Sequence, residues 1–236
     1  MPDLSKRSNE PELMDDLDAS GGIIDVTLKE LETINLLLGG NYVTINGIHK
    51  LLSNTQAPTI SIADLGCGSG DILRLIRKSM AKKGVRAELI GIDANPNIIE
   101  YANRHSRAEY DIRFETMNIF SDDFGRREFD IVTGTLFFHH FTNQELINFF
   151  TGLKTKVRIG IVINDIHRHW FAYYSIKWLT ALFSKSAMVK NDAAVSVMRA
   201  FRKKELEYIL EKAGIQNYRI VWMWAFRWQV VIDLRK

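Results

Sequence analysis

The chain has 236 residues, a mass of 27.1 kDa and a formal net charge of +3, a size that suits one large domain better than two. Its 46% hydrophobic and 25% charged residues, 15 glycines, 4 prolines and mean hydropathy of -0.10 describe an ordinary globular sequence and exclude collagen-like and disordered classes. The single cysteine, Cys67, excludes an intramolecular disulfide framework and favours a reducing, cytoplasmic setting; the weak positive charge does not imply nucleic acid, and the longest apolar runs fall short of the ~18 residues of a membrane span.

Residues 1–22 are polar, carry six acidic groups before residue 20 in a pattern unlike a signal or transit peptide, and are expected to form a frayed leader ending in Gly21-Gly22. Apolar residues at 24, 28, 31, 34, 37 and 38 predict a helix over 23–38, stopped by Gly39-Gly40; a second short helix follows over about 44–52, before Pro58. The compact run 59–65 then breaks into Gly66-Cys67-Gly68-Ser69-Gly70, and a helical pattern resumes over 72–80. A second strand is expected at 88–93. Asn95 as N-cap and Pro96 at the first helical position open the helix that follows, to about 104.

Residues 111–117 alternate as a third strand and 129–134 form a fourth; Thr142-Asn143-Gln144-Glu145 is a capping box that opens a helix burying Leu146, Phe149 and Phe150. The fifth strand, 159–164, is near-continuously apolar, as a strand covered on both faces should be. This alternation predicts an α/β fold with a doubly wound, mostly parallel sheet. An aromatic and basic insert over about 166–200 interrupts the rhythm, a helix over 203–212 ends at Gly214, and 218–226 and 228–234 read as an antiparallel strand pair. The expected organisation is a leader with cap helices over 1–57 and one domain over 58–236 containing the insert.

A glycine loop between a strand and a helix usually cradles a nucleotide, because bare backbone permits close approach and the helix start presents free N–H groups. No Gly-x-x-x-x-Gly-Lys-[Ser/Thr] occurs at this loop, and Asp71 stands where the dinucleotide pattern needs its third glycine. The flanking carboxylates Asp64 and Asp71 would repel a pyrophosphate but suit an ammonium and a sulfonium. S-adenosylmethionine carries both.

The run Asp64-Leu65-Gly66-Cys67-Gly68-Ser69-Gly70 followed by Gly91-Ile92-Asp93 resembles the cofactor motif of class I S-adenosylmethionine-dependent methyltransferases, over about 58–234. The resemblance implies the Rossmann-like methyltransferase fold, a seven-stranded sheet whose last two strands form an antiparallel hairpin. It sets Asp64 and the backbone of Gly66, Cys67, Gly68 and Gly70 beside the methionine moiety and Asp93, with its neighbour Ala94, at the ribose hydroxyls. Met117, Asn118 and Ile119 then fall at the adenine, and Thr135 falls at the end of the fourth strand.

Ligands of open α/β sheets lie beyond the carboxyl ends of the strands. There the chain offers His139 and His140 after the fourth strand and Asp165, His167, Arg168 and His169 after the fifth. His139, His140 and His167 are the candidates for stripping a proton from an acceptor. Asp165, Arg168, Trp170 and Tyr174 are candidate substrate contacts. Asp165-x-His167-x-His169 is too slight a pattern to assign a metal, and none is assigned. Arg199, Arg202, Lys203 and Lys204 read as a solvated basic face.

The expected activity is methylation of a small aromatic or lipid-like natural-product acceptor, foremost O-methylation of a phenol or quinol. Carbon or nitrogen methylation of a lipid-like metabolite, or a non-catalytic cofactor-binding subunit, are the alternatives. Trp170, Tyr174, Trp178 and Leu182 recur every four residues, which fits either core packing or an apolar lid over the acceptor; as a lid, the insert could also rest on an anionic membrane through Lys177, Lys185 and Lys190.

Overall fold

The computed structural model describes residues 2–53, 57, 59–106 and 110–235; the expected domain boundary at Pro58 lies outside them. Seven strands form one sheet: β1 (Thr59–Leu65), β2 (Arg86–Asp93), β3 (Ile112–Thr116), β4 (Phe129–Thr135), β5 (Val157–Ile166), β6 (Tyr218–Met223) and β7 (Arg227–Asp233). Their order is β3-β2-β1-β4-β5-β7-β6, parallel from β3 to β5, with β7 antiparallel to both its neighbours. The expected parallel core and closing hairpin are therefore present. The order reverses between β1 and β4, which opens a crevice at their carboxyl ends.

Nine helices accompany the sheet among the described residues: α1 (Gly22–Leu37), α2 (Gly40–Leu52), α3 (Asp71–Lys82), α4 (Pro96–His105), α5 (Asp122–Gly125), α6 (Asn143–Leu153), α7 (Trp170–Phe183), α8 (Ala187–Arg199) and α9 (Lys203–Lys212). One face of the sheet is covered by α6 and α9 through Phe149, Phe150, Leu206, Ile209 and Leu210. The other is covered by α2 and α3 through Ile48, Leu51, Leu73 and Ile76. A side chain such as Leu73, 0% exposed, contributes ~1.5–3 kcal/mol by leaving water.

The caps follow the sequence. Asn95 accepts from the N–H of Asn97 at 2.8 Å with Pro96 at the first turn, and Thr142 and Glu145 cap α6 reciprocally. The one-turn α5, too short to show a period, is held by Ser121, whose Oγ accepts from Phe124 N at 3.2 Å. No described helix is long and apolar enough to cross a membrane.

Two expectations fail. The leader is not frayed: a 3-10 turn at Leu13–Asp15 is held by Asp192 of α8, which accepts from Leu13 N at 2.8 Å and Met14 N at 3.0 Å. Farther up the chain, Arg7 donates to the carbonyls of Arg199 at 2.7 Å, His139 at 2.9 Å and Phe141 at 2.8 Å. The insert is helical as expected, but its two helices divide the work unexpectedly. The aromatic stripe of α7 faces outward, with Trp170, Trp178 and Phe183 at 60%, 69% and 77% exposure. The helix packed against α1 and the leader is α8.

Candidate active site

At the crevice lies a cavity of ≈510 Å³, within the ~300–1,000 Å³ usual for small-molecule sites. Its floor is local to the sequence. The loop after β1 returns under β2, with Cys67 N donating to Ile92 O at 3.1 Å. Gly66 sits at φ +63°, and a Cβ there would lie 2.1 Å from the Phe137 ring; Gly70 sits at φ +75° with Phe114 2.6 Å from the same hypothetical atom. Both conformation and space therefore demand glycine.

Three carboxylates ring this loop. Asp64 is 2% exposed and its Oδ1 has no hydrogen-bond partner; Oδ2 of Asp71 is equally unpartnered. Burial, reinforced by Asp71 and Asp93, pushes the Asp64 carboxyl well above its ordinary range. Burial also raises Asp71, helped by Glu32. Asp93 is raised by burial too, although the N–H groups of Asn95 and Gly68 hold its oxygens at 3.1 and 3.3 Å. Unpartnered buried carboxylate oxygens suit a cationic ligand, and the ammonium and sulfonium of S-adenosylmethionine fit them. Burial likewise pushes the Cys67 thiol up, and the residue forms a small part of the cavity wall.

The roof comes from distant parts of the chain: the leader (Glu12, Met14, Asp15, Leu17), α1 (Thr27, Leu28, Glu32) and α8 (Val189, Asp192, Ser196). Arg74 ties α1 to the loop, donating to Glu32 Oε1 at 3.0 Å and Ser69 O at 2.7 Å. Between floor and roof stand His139 and His140. Nδ1 of His139 meets Asp165 Oδ1 at 2.7 Å and its Nε2 stands 3.3 Å from Glu12 Oε1; Nδ1 of His140 meets Asp15 Oδ1 at 2.6 Å. Burial alone would strip His139 of its proton, but the charges of Asp165 and Glu12 outweigh it and hold the imidazole up to about 9. Glu12 stays ionised for the same reason: burial raises it, and the charge of His139 more than reverses that.

Of the cofactor residues expected from sequence, Asp64, Gly66, Cys67, Gly68, Asp93 and Ala94 line the cavity, as do Met117, Asn118, Ile119 and Thr135. Gly70 lies behind it, where it permits the turn into α3. Asn118 Oδ1 accepts from Phe120 N at 2.9 Å, and Thr135 shares a 2.7 Å hydroxyl contact with Thr44.

The structure separates the expected reacting residues. His139 and His140 line the cavity; His167 does not, because its ring packs on Trp228 at 4.8 Å and its N–H bonds Phe226 O at 2.8 Å. Asp165 also lies outside the lining, fully buried, with Oδ1 on Ile166 N at 2.8 Å and on His139. It meets His139 from behind the cavity. Arg168, 1% exposed, is a structural bolt: it pairs with Glu205 at 2.6 and 2.9 Å and reaches Leu4 O at 3.1 Å. Trp170 and Tyr174, at 60% and 44% exposure, face away from the cavity. Arg199 leaves the expected basic surface; it is 7% exposed and holds Asp15 Oδ2 at 2.6 Å.

Glu12, Asp15 and Ser196 escaped the sequence reading. Only an excess of acids in the leader marked that segment as unusual, and nothing local linked it to residues 139–140.

Residues 62–160 match the family model for the methyltransferase domain. No curated protein sequence matches the chain. Among solved structures, the plantazolicin methyltransferase BpumL with bound S-adenosylhomocysteine is 18% identical over 91% of this chain and 100% of that one, with a TM-score of 0.65. The magnesium protoporphyrin IX methyltransferase ChlM of Synechocystis PCC 6803 with bound S-adenosylmethionine is 12% identical over 93% and 86%, TM-score 0.56. Human N-acetylserotonin methyltransferase with S-adenosylmethionine is 14% identical over 97% of this chain and 60% of that one, TM-score 0.65. The matched segment runs from β1 into β5 and contains the whole cofactor floor, so over residues 62–160 the chain is similar to the methyltransferase domain, in line with the resemblance carried by its glycine loop and Asp93.

Proposed function

We propose that this enzyme transfers methyl to an oxygen of a small, largely apolar acceptor, with a phenol or quinol as the first choice. The observation that supports this is one cavity holding the carboxylate nest at its floor and, above it, an aromatic wall beside Glu12, His139 and His140. Phe120 and Phe137 each meet Phe141 with ring centroids 5.1 Å apart, and all three line the cavity. Flat acceptors suit such walls, whereas sugars and free amino acids would leave polar groups unpaired there.

S-adenosylmethionine, when bound, supplies the electrophilic methyl group. The chain's own residues do the rest. In this reading Asp93 accepts from the ribose hydroxyls, Asp64 and Asp71 take the ammonium side, and the Gly66–Gly70 backbone lets the ligand approach. Glu12 is the ionised group placed to accept the proton of an acceptor hydroxyl. His139, held protonated by Asp165, then faces the oxygen as its negative charge develops. Burial under the roof excludes water and strengthens both effects.

A lipid-like acceptor methylated on carbon or nitrogen is the second reading, and it is favoured by the exposed face of α7. That helix carries Trp170, Phe171, Tyr174, Trp178, Leu182 and Phe183 in the open and no acidic residue, with Lys177 and Lys185 alongside. This is the chemistry of a helix resting on an anionic lipid surface, from which such an acceptor would be collected. The lone buried Cys67 fits work in a reducing cytoplasm. A labelled-methyl screen over phenolic and lipid acceptors, with mass detection of the product, decides between the readings. Transfer to phenolic oxygen supports the first; transfer confined to carbon or nitrogen of lipids replaces it with the second.

A further inference from the structure

We propose that Glu12, His139 and His140 form a binding site for one first-row divalent transition-metal ion, open to the acceptor side of the cavity. Three candidate ligand atoms, one from each residue, lie within 4.8 Å of one another. Each imidazole has its Nδ1 engaged by a carboxylate behind it, Asp165 at 2.7 Å and Asp15 at 2.6 Å, which leaves Nε2 as the free nitrogen facing inward. Orienting carboxylates of this kind are the usual outer shell of metal-binding histidines.

The inward atoms lack other work. Apart from the 3.3 Å ion pair between them, His139 Nε2 and Glu12 Oε1 are buried with no hydrogen-bond partner, and their side chains are 2% and 5% exposed. Glu12 Oε2 is fixed by Ser196 Oγ at 2.8 Å. The histidine backbone is fixed as well: Arg7 donates to His139 O at 2.9 Å, and Arg199 donates to the carbonyl of His140. Around the trio, Asp15 and Asp165 add negative charge, while Arg199, 3.9 Å from Glu12 Oε1 and 2.6 Å from Asp15 Oδ2, offsets part of it.

Two imidazoles and one carboxylate select zinc, iron(II), cobalt or manganese over calcium and magnesium, and three protein ligands leave positions open. With bonds of roughly 2.0–2.1 Å, ligand atoms sit ~3.4 Å apart, so the trio must draw in slightly on binding. With the ion bound, its charge replaces the proton of His139, and Glu12 and His139 act as ligands and no longer as base and proton donor; an acceptor hydroxyl at the open side would give up its proton to solvent as it binds. Its oxygen lone pair would form the new C–O bond as the C–S bond breaks, with that bond's electrons remaining on sulfur. The site thereby narrows the acceptor to one bearing a metal-ligating oxygen.

This inference rests on the acceptor site proposed above, and the test separates the two. Tag-free, full-length protein stripped with chelator is titrated with Co2+ by visible absorption and with Zn2+ by calorimetry, and S-adenosylmethionine binding to the stripped protein is measured alongside. The expected result is one ion per chain, a d–d spectrum of a four- or five-coordinate site, and at least tenfold weaker binding in Glu12→Gln and in His140→Gln, both with wild-type circular dichroism. Asp15→Asn, which alters the group behind His140 while keeping an oxygen for Arg199 and Glu12 N, should weaken binding by ~10-fold. Absence of the spectrum, or equal affinity in wild type and both ligand variants, overturns the metal site. Failure of the stripped protein to bind S-adenosylmethionine counts instead against the cofactor floor.

Discussion

The floor and the roof of the cavity are built from the chain in opposite ways. The floor uses neighbours: the loop Gly66–Gly70 leaves β1, and Asp93 ends the strand paired beside it. The roof joins segments far apart, with Ser196 reaching Glu12 across 184 positions and Arg7 reaching His139 across 132. The floor presents two buried carboxylate oxygens without partners, Asp64 Oδ1 and Asp71 Oδ2, on groups raised by burial. In the roof almost every charge already has its counterpart. A site that must receive a charged cofactor is thus left electrostatically incomplete, while the part that only has to stay closed is stitched together by arginines.

If that division is right, the largest loss of stability should come from the roof's bolt. Arg168→Met leaves Glu205 and Leu4 O without their buried donor and should cost ~3 kcal/mol, lowering the melting temperature by roughly 6–12 °C. A change of less than a few degrees would show that the buried Arg168–Glu205 pair contributes little to holding the leader at Leu4.

The floor should respond with the reverse sign. Asp64→Asn removes a buried carboxylate whose folded-state value is raised, so the cofactor-free variant should melt a few degrees higher than wild type at neutral pH while S-adenosylmethionine binding falls. For a raised carboxyl, the contribution to stability is full below the unfolded value near 3.8 and is lost as pH rises through the folded value. Melting curves of the two proteins should therefore converge on acidification and separate on returning to neutrality. A variant that melts lower than wild type at pH 7 would mean that Asp64 has a partner that this account omits.

The smallest effect on stability belongs to the outward face of α7. Trp178→Ala, at 69% exposure, should change stability by no more than ~0.5 kcal/mol. Its co-sedimentation with vesicles of anionic phospholipid should drop severalfold. Unchanged sedimentation would remove the membrane from the account without touching the active site.

Legibility in the sequence followed the same division. Positive-φ glycines, a carboxylate at a strand end and caps such as Asn95-Pro96 are local demands, and each left a local pattern. Glu12 had no such signature, because its partners lie at 139 and 196. The four-residue recurrence of Trp170, Tyr174, Trp178 and Leu182 fixed a common face but not what that face meets; α8, with a plainer sequence, took the position over the cavity. His139 and His167 both follow strands of the sheet, yet β5 is flanked by β7 and delivers His167 against Trp228 instead of into the crevice. Position after a strand is a necessary condition for the site and not a sufficient one.

The central claim is that the floor alone binds the cofactor and the trio above it acts on the acceptor. Calorimetric titration of S-adenosylmethionine into wild type, Asp93→Ala and His140→Gln tests it most directly. Wild type should bind one molecule per chain, Asp93→Ala should lose about 1.5–3 kcal/mol, a roughly 10- to 150-fold weakening from two missing charge-assisted hydrogen bonds, and His140→Gln should bind as wild type does. Equal affinity in wild type and Asp93→Ala, or a loss confined to His140→Gln, would contradict the account.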